Sequence, residues 1–194
     1  MKHLRKYIRQ VLLTEAMKTP ADLPEDVVIV IETVDNDYME AYYADANDPS
    51  ALGSNPSGSI TIYPTEPDRE GECSNAWMVG GSDADDGWGP LLYDVAIEWA
   101  TQNGGGLISD RGSVSGDAQG VWNYYMRNRG DVTAHQLDDL NNSLTPEEKD
   151  NCDQGIGRST VAGMYDTWVD SALSKRYTKP PTTMDALGKK LVIL

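Results

Sequence analysis

Residues 77–129 read WMVGGSDADDGWGPLLYDVAIEWATQNGGGLISDRGSVSGDAQGVWNYYMRNR, and this stretch decides the fold of the chain. Its first half joins an apolar run to a segment whose apolar side chains recur at the spacing of one helix face. Glycines from Gly104 onward end that segment in the way that C-terminal glycines end helices. The pattern predicts a strand over residues 74–79, a glycine turn and then a helix. The apolar face of this helix consists of Leu91, Leu92, Val95, Ala96, Trp99 and Ala100.

The predicted glycine turn contains Gly80, Gly81, Gly87 and Gly89. A strand that reaches a helix through glycines leaves backbone N–H groups exposed at the positive end of the helix dipole. Proteins hold pyrophosphate groups at such places. The turn is therefore the first candidate for a binding site.

Two more elements complete the stretch. A short apolar strand is predicted over residues 106–109, and a second helix follows, with Ser115 and Asp117 at its start. The apolar face of the second helix consists of Ala118, Val121, Trp122, Tyr125 and Met126.

The residues before the glycine turn predict antiparallel strands. Residues 27–34 and 38–45 are apolar runs separated by a short polar turn, which is typical of a hairpin. A third strand is predicted over residues 59–63, after a loop rich in Asn, Pro, Ser and Gly. With the strand over residues 74–79, four largely antiparallel strands lead into the turn.

At these residues the chain resembles the GNAT acetyltransferase superfamily, whose (Arg/Gln)-x-x-Gly-x-(Gly/Ala) loop holds the pyrophosphate of acetyl-CoA. Gly87-Trp88-Gly89 matches the end of that loop, and LLYDVAIEWA matches the helix that follows it. Ala118 matches the alanine of the family's Asn-x-x-Ala-x-x-x-Tyr helix. The resemblance implies an α/β fold with a GNAT-like mixed, largely antiparallel sheet flanked by helices.

The resemblance also implies an activity, that of an acyl-CoA-dependent N-acyltransferase with acetyl-CoA as the acyl donor. The amides of Gly87, Trp88 and Gly89 are then expected to hold the pyrophosphate. The backbone around Met78 and Val79 is expected to meet the pantetheine arm. The sequence identifies neither a general base nor the acceptor amine.

The sequence departs from the family pattern at positions that matter for this chemistry. The family's Arg or Gln falls on Ala84, and the carboxylates of Asp83, Asp85 and Asp86 lie around it. Like charges there oppose an anionic cofactor. The family's tyrosine, which commonly protonates the leaving thiolate, falls on Trp122, whose indole cannot serve as an acid.

A displaced acid is the alternative that the helix offers. Tyr125 shares the helix face of Trp122, and Tyr124 is adjacent, so these two tyrosines are the candidate catalytic residues. The family's asparagine falls on Ser115, and residues 35–37 leave no room for the helices that the family usually places between its first two strands. Two interpretations stay open: a working acyltransferase, and a GNAT-like fold with lost or altered chemistry.

Composition limits the other classes of function. Sixteen Lys and Arg residues against 31 Asp and Glu residues give a net charge of −15. Binding of nucleic acid through the body of the protein is not expected, because that affinity comes mainly from neutralised phosphates. No apolar run reaches the length of a membrane span. At 194 residues the chain is expected to hold one domain, over residues 27–194.

The two cysteines, Cys73 and Cys152, are far apart in sequence, and with only two histidines they predict no metal site. We expect free thiols in a reducing compartment. Cys152 lies in DNCD, whose acidic residues do not favour a catalytic thiolate. Asp110 and Arg111 follow the strand over residues 106–109, where a buried or functional role is expected.

The first residues predict a separate segment. Residues 1–17 have the pattern of a basic amphipathic helix, and residues 18–26 read as a linker because of two prolines. The segment lacks the unbroken apolar region of a secretory signal. Its apolar side consists of Leu4, Ile8, Val11 and Leu12.

Leu13-Thr14-Glu15 resembles the site at which a maturation protease cuts the targeting leaders of proteins packed into tailed-bacteriophage heads. This resemblance implies a phage capsid or scaffold as the partner of residues 1–15. It also implies a location in the virion or in the cytoplasm of a bacterial host. The alternative function is then a non-enzymatic virion or internal head protein, which uses a degenerate GNAT fold for structural or host-factor contacts.

The C-terminal third has a weaker pattern. It predicts a short strand or turn and two short helices after residue 129, the second helix beginning at Pro146 with Thr145 as its N-cap. Residues 161–169 are compatible with a helix or a strand. The apolar end of the chain is expected to add an edge strand or to dock onto a partner.

Overall fold

The structure is a computed structural model that describes residues 17–34, 37–52, 55–111, 113–141, 143–155 and 168–194. The predicted leader helix lies outside these ranges except for Met17. Residues 161–167 of the ambiguous C-terminal segment lie outside them as well. Those predictions stay untested.

The described ranges contain strands, helices and short 3-10 turns. The strands are β1 (Val27–Val34), β2 (Tyr38–Asp45), β3 (Asp48–Leu52), β4 (Gly58–Pro64), β5 (Trp77–Ala84), β6 (Leu107–Ile108), β7 (Thr133–Gln136), β8 (Asp138–Asp139), β9 (Asn151–Cys152), β10 (Lys175–Thr178) and β11 (Leu191–Ile193). The helices are α1 (Pro67–Glu70), α2 (Gly89–Asn103), α3 (Gly116–Asn128) and α4 (Thr182–Leu187). Short 3-10 turns lie at Pro20–Asp22, Cys73–Asn75, Trp168–Asp170, Ala172–Ser174 and Gly188–Lys190.

The main sheet has the order β11-β1-β2-β4-β5-β6-β10-β7, with β3 paired to β2. Neighbours pair antiparallel except for β11 with β1 and β5 with β6, which are parallel. Strands β8 and β9 form a separate parallel pair. The predicted mixed, largely antiparallel α/β class is confirmed. The predicted hairpin and the C-terminal edge strand, β11, are present as well.

The core lies between the sheet and α2. On β1, the side chains of Val27, Ile29 and Ile31 belong to this core, and those of Val28 and Val30 face the other way. Side chains alternate along a strand, so one apolar run covers two faces of the sheet. A second, smaller cluster consists of Val28, Val30, Tyr42 and Ala44.

The glycine turn is shorter than predicted. Strand β5 continues through Gly80 and Gly81 to Ala84, so the turn proper begins at Asp85. A Cβ on Gly80 would overlap the ring of Tyr63, which crosses β5 from the neighbouring strand. This glycine therefore makes room for the Tyr63 ring within a strand and does not form part of the turn.

Two further predictions are wrong. The segment before β4, which was predicted to be a loop, contains β3, and β3 pairs antiparallel with the end of β2. No helix begins at Pro146 in the part of the chain that the structure describes. The amide and the hydroxyl of Thr145 instead donate to Oδ2 of Asp138, at 2.7 and 3.2 Å. The N-cap signal of Thr145 is thus used by a turn around a carboxylate of β8.

The expectation of free thiols is also wrong, since Cys73 and Cys152 form a disulfide. Their Cα atoms are 4.6 Å apart although 79 positions separate them in sequence. Strand β9 folds back beside the turn that precedes β5, and this brings the two sulfurs together. Disulfides persist in oxidising environments, so the argument for a reducing compartment no longer holds.

One carboxylate in the loop after α3 makes stability depend on acid pH. Hydrogen bonds from Arg129 hold the pKa of Asp131 at about 2, below its ordinary 3.8. This contribution is present above pH 4 and is lost as the pH falls from 4 to 2. We expect Asp131→Asn to lower Tm by about 2–4 °C at pH 6 and by almost nothing at pH 2, because the pair is partly exposed.

Thermal denaturation followed by circular dichroism at pH 2, 3, 4 and 6 measures this difference. Asp86→Asn, at an exposed carboxylate, is the matched control and should show no such pH dependence. A Tm difference between Asp131→Asn and the parent protein that stays constant from pH 6 to pH 2 contradicts the prediction.

Candidate functional site

A cleft lies along the end of β5, beyond the point where β5 and β6 separate. The two parallel strands pair at Trp77 with Leu107 and at Met78 with Ile108, and β6 then ends. From Val79 onward this edge of β5 has no strand partner among the described residues. The cleft holds about 250 Å³ and lies between β5 and the first turns of α2 and α3. It is lined by Ser59, Ser82, Asp83, Ala84, Gly89, Leu92, Tyr93, Ser115, Asp117, Ala118 and Val121.

Hydroxyls and carboxylates give the cleft its chemistry. The hydroxyl of Tyr93 is 3.0 Å from Oγ of Ser82. Burial raises the pKa of Tyr93, so this phenol stays neutral at physiological pH. Asp83 and Asp117 are exposed and place negative charge on opposite walls. The mouth of the cleft therefore favours cations over anions.

The turn between β5 and α2 is closed by its own hydrogen bonds. Gly87 has φ +82°, a conformation that favours glycine. The Trp88 amide donates to the Asp85 carbonyl oxygen at 3.0 Å. Of the three amides predicted to hold a pyrophosphate, those of Gly87 and Gly89 are left to donate to a ligand.

The carboxylate of Asp85 has a structural role in this turn. Its Oδ2 accepts from the Ser57 amide at 2.8 Å, and the Asp85 amide donates back to the Ser57 carbonyl oxygen at 3.0 Å. The pair ties the turn to the start of β4. All three carboxylates around Ala84 are thus exposed, and Asp85 is the one that a hydrogen bond to its side chain holds in place.

Lys18 brings positive charge to the same turn. Its amide donates to the Gly87 carbonyl oxygen at 3.0 Å, and its Nζ lies 5.8 Å from the centroid of the Trp88 ring. Lys18 is exposed, so its ammonium group can reach an anion at the turn. It offsets part of the negative charge that the sequence places there.

Met78 and Val79 lie where β5 separates from β6, before Ser82, the first residue of β5 that lines the cleft. We call this point the root of the cleft. Met78 is the last residue of β5 that pairs with β6, and Val79 is the first beyond that pairing. The expectation that the backbone at Met78 and Val79 meets an extended ligand stays a prediction. Their side chains are half-buried and buried, so the backbone edge is what the cleft presents.

The two candidate acids lie outside the cleft lining. Tyr125 is buried, and its hydroxyl lies 2.8 Å from Oδ1 of Asp94 and 3.0 Å from the Pro90 carbonyl oxygen. Burial raises its pKa well above the ordinary value. Tyr124 is half-buried, with its ring edge against Tyr125. The structure therefore does not bring either hydroxyl into the cleft.

The tyrosine that does line the cleft was missed by sequence reasoning. Tyr93 lies on α2 between Leu92 and Asp94, and nothing in the helical period distinguishes it from a core aromatic. Its position one turn after Gly89 is the one signal that could have suggested it, since i and i+4 lie on the same helix face. Trp122, at the position of the family's tyrosine, is buried with an edge-on contact to Tyr93.

Other candidate chemistry can be located as well. Arg111 is buried, as its position after β6 suggested, and its guanidinium lies 2.8 Å from Sγ of Cys152. Within the described ranges no group of three or more His, Cys, Asp or Glu side chains could hold a metal ion. Nor is any helix in those ranges long and apolar enough to cross a membrane.

Comparisons with protein-family models, with curated proteins and with solved structures gave no match.

The contacts of Tyr125 predict a structural role that can be measured. Tyr125→Phe removes a buried donor to Asp94, and we expect a loss of about 1–2 kcal/mol in the free energy of unfolding. Tyr124→Phe is the matched control, with an expected change below about 0.5 kcal/mol. Urea denaturation followed by tryptophan fluorescence measures both. Equal stability of the two variants would show that the Tyr125 hydroxyl contributes nothing to the fold.

Proposed function

We propose that this protein is a GNAT-like N-acyltransferase that takes an acyl-CoA, such as acetyl-CoA, as donor and an amine as acceptor. One observation carries the proposal: two parallel strands pair for two residues each and then separate over a cleft that ends at a helix start. Such an opening leaves an unpaired backbone edge beside a positive helix terminus. An elongated thioester with amide groups along its length and phosphates at one end fits both features.

The unpaired edge of β5 would hold the amide-containing arm of the donor. Backbone groups from Val79 onward can pair with an extended ligand as an added strand would. The phosphates would lie at the amides of Gly87 and Gly89, with Lys18 adding charge. This assignment keeps the binding residues expected from the sequence but removes the Trp88 amide, which the turn itself uses.

The reaction needs the amine to lose a proton and the leaving sulfur to gain one. The donor supplies the acyl group as an activated thioester. Asp83 and Asp117 attract a cationic amine to the cleft mouth and can accept its proton through water. Tyr93 is the tyrosine in the cleft lining that holds a proton at physiological pH, whereas Tyr125 keeps its own in a buried hydrogen bond. The chain's own groups thus cover both proton transfers.

The test is isothermal titration of the purified protein with acetyl-CoA at low and at moderate salt. We expect micromolar binding that strengthens as salt rises, because the exposed carboxylates repel the anionic donor. Ala118→Trp fills the cleft and should weaken binding at least tenfold. Gln119→Trp, one position away and outside the lining, should leave it within about twofold. If acetyl-CoA produces no heat of binding at both salt concentrations, the proposal is overturned.

A second candidate, which we propose as the alternative, is a non-enzymatic phage virion protein with a capsid or scaffold partner for residues 1–15. The observation that favours it is the cleft itself. Its mouth carries exposed carboxylates, and the two tyrosines expected to act as the catalytic acid, Tyr124 and Tyr125, do not line it. The segment that would carry the targeting signal lies outside the described residues. Mass spectrometry of purified virions that finds this chain shortened at Glu15 supports this candidate, and its absence from particles excludes it.

A further inference from the structure

Three consecutive residues adopt a left-handed backbone directly before β5. Cys73, Ser74 and Asn75 have φ values of 46°, 55° and 58°, and none of them is glycine. A side chain crowds the backbone in this region, so single left-handed residues are uncommon and three in succession more so. We call residues 73–75 the left-handed turn. Strain of this kind persists where surrounding contacts impose it, and it is concentrated at functional places.

Two kinds of contact impose the left-handed turn. One is the disulfide from Cys73 to Cys152. The other is the connection between α2 and β6, where the Gly105 amide donates to the Asn75 carbonyl oxygen at 2.7 Å. A Cβ on Gly105 would overlap the carbonyl oxygen of Ser74. The turn and the glycines are therefore packed backbone against backbone.

The left-handed turn is coupled to the root of the cleft. Two residues after Asn75, the Trp77 amide donates to the Gly106 carbonyl oxygen at 2.8 Å. Trp77 also forms the first pair between β5 and β6, with Leu107. A change in the left-handed turn is therefore expected to alter the short pairing of β5 with β6, beyond which these two strands separate.

Arg111 makes one of the two sulfurs the better leaving group. Its Nη1 lies 2.8 Å from Sγ of Cys152, and its Nη2 has no hydrogen-bond partner in the described part of the chain. A guanidinium beside a sulfur stabilises the thiolate. Both sulfurs are buried, but Glu72 and Asn75, on either side of the buried Cys73 and half-buried Ser74, are exposed. A local opening of the turn would thus expose the bond.

We propose that the Cys73–Cys152 disulfide is a redox-sensitive device that sets the geometry of the cleft root. A dithiol reductant attacks Sγ of Cys73 as a thiolate, the S–S bond breaks, and Cys152 leaves as a thiolate held by Arg111. The second thiol of the reductant then displaces Cys73 and leaves the reductant as a disulfide. Freed from Cys152, the left-handed turn relaxes and the β5–β6 pairing loosens. This inference goes beyond the proposed acyl transfer and does not depend on it.

Amide hydrogen exchange of the full chain, with and without dithiothreitol, tests the inference without any acyl-CoA. Reduction should accelerate exchange of the amides in 76–78 and 105–107 at least tenfold more than that of the β1 amides in 28–31. The variant Cys73→Ser with Cys152→Ser should reproduce this pattern without reductant. Acceleration by the same factor in both regions, or reduction at the rate of global unfolding, overturns the inference.

The role of Arg111 has its own readout. In mixtures of reduced and oxidised dithiothreitol, Arg111→Met should lower the ratio of reduced to oxidised protein at least threefold, because the thiolate loses its partner. Arg111→Lys keeps the charge and should have a smaller effect. If Arg111→Met does not fold, Arg111→Gln, which removes the charge but keeps N–H donors, replaces it, and an unchanged ratio in Arg111→Gln contradicts the assigned role.

Discussion

Lys179→Met should lower the free energy of unfolding by about 3–5 kcal/mol, the cost of leaving one charge of a buried pair without its partner. Lys179 and Glu98 form an ion pair, and both side chains are fully buried. Lys179 Nζ also donates to the hydroxyls of Thr182 and Thr183, at 2.7 and 2.8 Å. The variant would leave the carboxylate of Glu98 in the core without the ammonium group.

The backbone around Glu98 explains why its charge cannot simply move to solvent. Its carboxylate oxygens accept from the amides of Thr183 and Met184, both at 2.7 Å. These contacts fasten α4 to α2, so the carboxylate stays where it is when Lys179 is removed. We expect α4 to detach before the rest of the fold, because these hydrogen bonds help to hold it on α2.

The matched control is Lys189→Met, at an exposed lysine after α4, with an expected change below about 0.5 kcal/mol. Adding Glu98→Gln to Lys179→Met removes the uncompensated charge and should recover about 2 kcal/mol of the loss. Urea denaturation followed by circular dichroism measures all three variants. A cost below about 1 kcal/mol for Lys179→Met alone would mean that water reaches Glu98.

Local patterns account for most of the fold that the sequence predicts. The β1–β2 hairpin follows from apolar runs around a polar turn, and α2 follows from one helix face and its terminal glycines. Ser115 caps α3 as expected, with its Oγ accepting from the Ala118 amide at 3.1 Å. Each of these signals lies within one element, so no knowledge of distant residues is needed.

The parts that sequence reasoning missed depend on distant partners. Cys73 and Cys152 are 79 positions apart, and nothing near either cysteine indicates the other. Lys179 stands before two prolines, and nothing near it in the sequence indicates that it is buried. Its side chain is buried in an ion pair with Glu98, which lies on α2. In the candidate site, the roles of Met78, Val79 and the glycine turn stay predictions. Tyr93 and Ser82 were missed, because their pairing joins a helix to a strand.

Removing the disulfide should cost about as much as breaking the buried ion pair. Cys73 and Cys152 are separated by 79 positions, and closing a loop of this length lowers the entropy of the unfolded chain. The loop-entropy relation gives roughly 4–5 kcal/mol for Cys73→Ala combined with Cys152→Ala. Relaxation of one residue of the left-handed turn returns about 1–2 kcal/mol of this. The expected net loss is therefore about 2–4 kcal/mol.

Urea denaturation of the parent protein, the parent protein with dithiothreitol and the double variant measures this loss. The reduced parent protein and the double variant should agree within about 1 kcal/mol, since both lack the same constraint. Dithiothreitol should leave the double variant unchanged, which controls for effects of the reductant elsewhere.

The size of the measured loss also shows what happens to the left-handed turn. A loss close to the full loop-entropy value means that the turn stays left-handed without the bond. A clearly smaller loss means that the turn relaxes, as the redox-sensitive device requires. Equal stability of the oxidised and reduced parent protein would contradict the expected net loss.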